Sequence, residues 1–197
     1  NEKHGCGYRK ADGTLISTYP IFAYRDMMRR IYTIVKTRKP NGIVNVHNST
    51  LMVAPTLSWA TSTWDGEQIS GIDRMADPLS VIPLDAFRCE FAGRSLGVPA
   101  EFLCYNRPYT YPEALSLTLL HDIPTRGYLG GGLELESEIW KIMEDFKRST
   151  AVWIPYWESG DYIRTNADTI KVSLYSHSNE GALLVVSNLG NEAAHAT

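Results

Sequence analysis

The sharpest chemistry in this sequence lies in the turn Trp64-Asp65-Gly66-Glu67, where two carboxyl groups stand beside an indole. Cleavage of a glycosidic bond generally needs two carboxyl groups. One protonates the leaving oxygen; the other attacks the anomeric carbon or activates water. An aromatic neighbour such as Trp64 raises a carboxyl pKa by desolvation and keeps the group protonated as an acid. Asp65 and Glu67 are therefore the catalytic candidates. Their closeness in sequence argues against their flanking one scissile bond. One is read as the acid and the other as a partner for sugar hydroxyls, with the second catalytic carboxylate elsewhere. The competing reading is a solvated acidic turn.

Further polar groups recur at the expected ends of strands. His47 and Asn48, Glu101 and Tyr105, and His121 and Asp122 join Trp64 as candidates for substrate binding. His47 suits hydrogen bonding to hydroxyls or proton shuttling; a strand-end polar cap is the plainer alternative. Asp122 is placed to orient the imidazole of His121, although both residues also suit a helix end. Asn48-Ser49-Thr50 matches the glycosylation pattern, which needs a secretory pathway. Arg25, in the early turns of the first helix, is either an orienting group for an acid or a structural ion-pair partner.

Several other chemistries lack their signatures. There is no G-x-S-x-G, and Gly71-Ile72-Asp73 only superficially resembles a nucleophile elbow. No H-E-x-x-H occurs, and Gly130-Gly131-Gly132 lacks both nucleotide-binding glycine patterns. No metal site and no cofactor is expected, with a metal-dependent enzyme using His47, Asp65 and Glu67 as a minor alternative. The three cysteines, Cys6, Cys89 and Cys104, form neither a disulfide framework nor a zinc pattern. Cys89 and Cys104 fall in apolar patterns and are expected to be buried packing residues.

The elements that must hold these groups alternate. A helix is expected from about Pro20 to Thr37, capped by Ser17 or Thr18 and ended by Pro40-Asn41-Gly42. Ile43–His47 reads as a strand, Met52–Leu57 as a short helix or turn, and Trp59–Trp64 as a second strand. A helix from about Pro83 to Arg94 precedes a third strand, Val98–Tyr105. A helix from Pro112 to about His121 leads to a weakly marked fourth strand, Ile123–Tyr128, and an amphipathic helix covers Glu134–Lys147. From Ala151 the character changes to strands without helices: 152–156, 170–175 and 182–187. The fold class is thus α/β, with a parallel sheet and crossover helices over 1–150 and an antiparallel β-segment over 151–197.

Composition sets the frame. The chain has 197 residues, 44% hydrophobic and 21% charged, ordinary values for a globular domain. A net charge of −3 gives no basic excess for nucleic acid or an anionic membrane. No apolar run is long enough to span a bilayer. The 11% aromatic share suits stacking on sugars as well as core packing. Asn1 through Gly7 reads like the middle of a protein, so a longer N-terminal region is expected. Few cysteines leave the compartment open, with a periplasmic or extracellular location favoured over the cytoplasm.

His4-Gly5-Cys6-Gly7, Pro20 through Arg25, Val46-His47-Asn48-Ser49, Trp64 through Gln68, Gly97 through Phe102 and Leu120-His121-Asp122 together carry a resemblance. The chain resembles, over nearly its whole length, a family of bacterial glycoside-hydrolase-like proteins loosely related to glycoside hydrolase family 123. The resemblance implies a (β/α)8 barrel followed by a β-sandwich, with this chain holding the C-terminal half of the barrel and the start of the sandwich. By looser analogy with α-galactosidase-like barrels, Asp65 is the acid/base and the nucleophile sits on a strand before Asn1. The expected substrate is an oligo- or polysaccharide; a non-catalytic carbohydrate-binding or scaffolding protein is the alternative.

Overall fold

The computed structural model describes residues 7–47, 53–72, 78–80, 82–92, 97–105, 109–126 and 132–194. Asn48 and the expected end of the fourth strand at 127–128 lie outside the described residues. The chain divides into two compact units, 1–63 and 64–197.

The first unit opens with a hairpin that the sequence did not announce. Strands β1 (Gly7–Arg9) and β2 (Leu15–Ser17) pair antiparallel, Gly7 opposite Ser17. The Asp12 carboxylate accepts from the Thr14 N–H at 2.9 Å, and Gly13 takes a φ of 86°. Helix α1 (Ile21–Arg38) follows, starting at Pro20 without any side-chain cap. The expected Ser17 or Thr18 cap is therefore corrected: Ser17 is the last residue of β2, and the fixed φ of Pro20 starts the helix instead. Lys36 and Arg38 complement the dipole in its last turn. Met28 is its buried residue, while Phe22, Met27, Ile31 and Ile34 stay exposed. Arg25 pairs with its neighbour Asp26 at 3.1 Å, which makes it a structural ion-pair partner. Strand β3 (Asn45–His47), the single-turn helix α2 (Ala54–Leu57) and the start of strand β4 (Ser62–Asp65) complete this unit.

The four-stranded parallel sheet has the order β3-β4-β5-β6, with β5 at Ala100–Leu103 and β6 at Thr125–Arg126. Phe102 lies opposite Thr125 and Leu103 opposite Arg126. Side chains alternate across a strand, so these pairs mark two faces. Phe102 and Thr125 face the helices, since the Thr118 hydroxyl of α4 (Tyr111–Leu120) hydrogen-bonds that of Thr125. Leu103 and Arg126 face the other way.

The connection from β4 to β5 departs from the expected single helix. Helix α3 (Leu84–Phe87) is one turn long and passes into a π-helical turn, Arg88–Ala92. Phe87 and Phe91 lie together in the core, 0% and 2% exposed, with ring centroids 4.6 Å apart. Both pack on Phe102, itself 1% exposed. Cys89, expected to be buried, lies on the exposed side of this turn; Cys104 is buried as expected. Helix α4 is fixed by a capping box, with Thr110 accepting from the Glu113 N–H and the Glu113 carboxylate accepting from the Thr110 N–H.

Helix α5 (Leu133–Asp145) leads to a three-stranded antiparallel sheet: β7 (Val152–Ile154), β8 (Ile170–His177) and β9 (Gly181–Asn188). This sheet shares a core with the helices. Met143 of α5 packs with Tyr175 and Val185. The Ser173 hydroxyl donates to the Leu120 carbonyl at 2.6 Å, and the Ser187 hydroxyl donates to the Ser116 carbonyl at 2.7 Å.

Candidate functional site

Trp64 and Asp65 are consecutive in β4, so they point to opposite faces of the sheet. This overturns the expectation that Trp64 desolvates the neighbouring carboxyl. Trp64 lies on the face away from α4. Its indole N–H donates to the Glu101 carboxylate at 2.9 Å, and the Arg126 guanidinium lies 3.6 Å from the centre of its ring. An arginine stacked on an indole combines cation–π attraction with planar contact. Trp64, Glu101 and Arg126 thus form one group built from three adjacent strands.

Asp65 lies on the helix side and is 1% exposed. One of its oxygens accepts from the Gly66 N–H at 2.7 Å and from the Gln68 amide at 2.8 Å. Gly66 makes that closure possible. Its φ is 110°, and a Cβ there would fall 2.8 Å from a ring carbon of Phe102. The bend starts a short 3-10 helix, Glu67–Gly71, whose first residue, Glu67, is half-buried.

The partner of Asp65 comes from the π-helical turn. Glu90 is exposed at the surface, and its carboxyl meets that of Asp65. Hydrogen bonding with Asp65, then burial, then the charge of Asp65 hold Glu90 above its ordinary value of 4.5. A second carboxyl this near disfavours ionisation, so Glu90 holds its proton above the range of an isolated Glu.

The remaining candidates are dispersed. His47 ends β3, exposed, in the first unit. Glu101 and Tyr105 are half-buried on and just beyond β5. His121 is 1% exposed, so it sits in the core rather than on an open rim. Its Nδ1 lies 2.7 Å from the Leu117 carbonyl, and rings of Phe87 and Tyr156 pack against it. Burial pushes its pKa below the ordinary 6.5. Asp122, with a φ of 58°, does not orient His121. One of its oxygens accepts from the Tyr175 hydroxyl at 2.6 Å and from the Arg148 guanidinium, tying the end of α4 to β8. Among the described residues, no group of three His, Cys, Asp or Glu side chains is placed to hold a metal ion.

Sequence reasoning missed Glu90, Gln68 and Arg126. Glu90 showed only as one of two acids in an expected helix, and no spacing rule links it to Asp65. No family model matches the chain, and neither a curated protein nor a solved structure matches it.

Proposed function

We propose that this chain carries a glycoside-hydrolase site in which Glu90 is the proton donor and Asp65 is the buried carboxylate that holds it. The observation behind this reading is the meeting of an exposed carboxyl, Glu90, with a buried one, Asp65, which raises Glu90 above its ordinary value. Asp65 is enclosed and Glu90 is exposed, so the proton is available to a substrate at Glu90. Departure of a glycosidic oxygen calls for an acid of this kind, still protonated above the ordinary carboxyl range. Asp65, first read as the acid, becomes a positioning residue. The hydrogen-bonded pair is too close to flank a scissile bond, whose two carboxyl groups stand about 5–10 Å apart. Asp65 and Glu90 therefore fill one role together, and the second carboxyl is a separate group. Glu67, just beyond the Gly66 bend, is our candidate for a substrate contact.

The fold supports the same reading. We take the parallel sheet as the second half of a (β/α)8 barrel and the antiparallel sheet as the opening of a β-sandwich. Strands β3 to β6 follow one another across the sheet in chain order, as barrel strands do. Asp65 is the last residue of β4, at the strand end where barrel enzymes hold their chemistry, with its carboxyl on the helix side of the sheet. Trp64, Glu101 and Arg126 would face the barrel interior.

Hydrolysis of a panel of aryl glycosides with graded leaving groups tests the assignment. Glu90→Gln should lower kcat by about 10²–10⁴ for poor leaving groups, which need the proton, and much less for nitrophenolate, which does not. Asp65→Asn should move the alkaline limb of the pH–rate profile to lower pH. Equal losses across all leaving groups would remove Glu90 from the acid role.

A further inference from the structure

The segment after β7 builds a second candidate site. The chain turns through Pro155–Glu158 into a short 3-10 helix, Ser159–Asp161, and reaches Tyr162. This turn is pinned to β8. The Ser159 hydroxyl, in a residue 5% exposed, donates to the Val172 carbonyl at 2.9 Å, and the Tyr156 N–H donates to the Ser173 hydroxyl at 2.9 Å. On this fixed base lies an open groove of about 520 Å³, lined by Ile154, Trp157, Glu158, Gly160, Asp161 and Tyr162. That volume falls within the range of small-ligand sites, roughly 300–1,000 Å³.

The lining has a definite chemistry. Trp157 is held from several sides. Its indole N–H donates to the Glu158 carboxylate at 3.0 Å, the Arg88 guanidinium stacks 3.9 Å from its ring centre, and Trp153 and Tyr156 meet it edge-on. Tyr162 presents its ring to solvent, 68% exposed. An exposed aromatic ring on a pinned turn invites a ligand with an apolar face. Glu158 and Asp161 add hydrogen-bond acceptors at the rim. Among the described residues no basic side chain lines the groove, which disfavours an anion, while Arg88 on Trp157 offsets part of the acidic charge that would draw a cation. A neutral saccharide matches all three features: a C–H face for the exposed Tyr162 ring, hydroxyls for the carboxylates, and no charge.

We infer that the groove between Trp157 and Tyr162 is a binding site for a neutral saccharide, separate from the Asp65–Glu90 pair. Binding there requires no hydrolysis, so this site stands or falls apart from the catalytic reading.

Titration calorimetry of the protein with cellohexaose, xylohexaose and mannohexaose tests it, with tetramethylammonium as the cationic comparison. At least one hexaose should bind with a Kd tighter than about 1 mM. Tyr162→Ala should weaken that binding roughly tenfold, the value of one stacked ring. Gly160→Phe should weaken it at least as much by filling the groove. No atom lies within 4 Å of a Cβ at position 160, so that variant can fold unchanged. Glu90→Gln should leave binding unaltered. The inference is overturned if none of the hexaoses binds, if binding survives both groove variants, or if tetramethylammonium binds the groove in preference to them. It is also overturned if Glu90→Gln abolishes binding as Tyr162→Ala does, which would move the sugar to the carboxyl pair and leave the catalytic reading standing.

Discussion

The Asp65–Glu90 contact ties the acid role proposed for Glu90 to the stability of the fold. Below the ordinary Glu value of 4.5, Glu90 is protonated in both folded and unfolded chains, and its bond to Asp65 contributes in full. As pH rises, the unfolded chain releases this proton first. The folded chain holds it longer, so Glu90's contribution falls until pH passes its folded value. An amide at this position keeps donating at any pH. Glu90→Gln should therefore gain stability relative to the parent as pH rises from 4.5 toward neutrality, while losing the proton-donor role proposed for it. Urea unfolding midpoints at several pH values would show it; a constant difference across that range would contradict the coupled pair. Asp65 was legible in the sequence because an indole, a glycine and a second acid surround it. Glu90 was not, because its importance comes from a contact between distant parts of the chain.

Among the elements, the bend at Gly66 is the most demanding. Its left-handed backbone and the Phe102 ring both exclude a side chain. Phe102 cannot easily yield, since Phe87, Phe91 and Tyr109 pack around it. Gly66→Ala should therefore cost about 2–4 kcal/mol, combining backbone strain with overpacking. A change under about 0.5 kcal/mol in denaturant unfolding would mean that the turn relaxes freely. The longer elements were readable from periodicity. Helix α1, expected over 20–37, spans Ile21–Arg38, and the expected strands 170–175 and 182–187 lie within β8 and β9. Short elements were harder. The β1–β2 hairpin has strands of three residues, too brief to show alternation, and its Asp12-Gly13 turn was the only signal. The π-helical turn was hidden for a different reason: its pattern of rings also satisfies an ordinary helix.

For the whole molecule, the change of character at Ala151 is what the sequence displays. The ties across it are single serines, which no pattern reveals. Ser173 is 0% exposed, donates to the Leu120 carbonyl and accepts from the Tyr156 N–H. Ser173→Ala leaves both backbone groups buried without partners, and should cost about 2–4 kcal/mol. Ser187 makes one such bond, to Ser116, so Ser187→Ala should cost about 1–2 kcal/mol. Thermal unfolding of the two variants side by side would check the order. A milder effect at Ser173 than at Ser187 would show that α4 does not depend on the sheet as described.

Those two hydroxyls also set a schedule for synthesis. They reach α4 from 53 and 71 residues further along the chain. At the usual pace of translation, about 5–20 residues per second, a separation of 71 residues delays the last tie by roughly 4–14 s. Throughout that interval the nascent chain holds α4 with one flank unfinished, and the apolar surface that β8 and β9 will cover stays open.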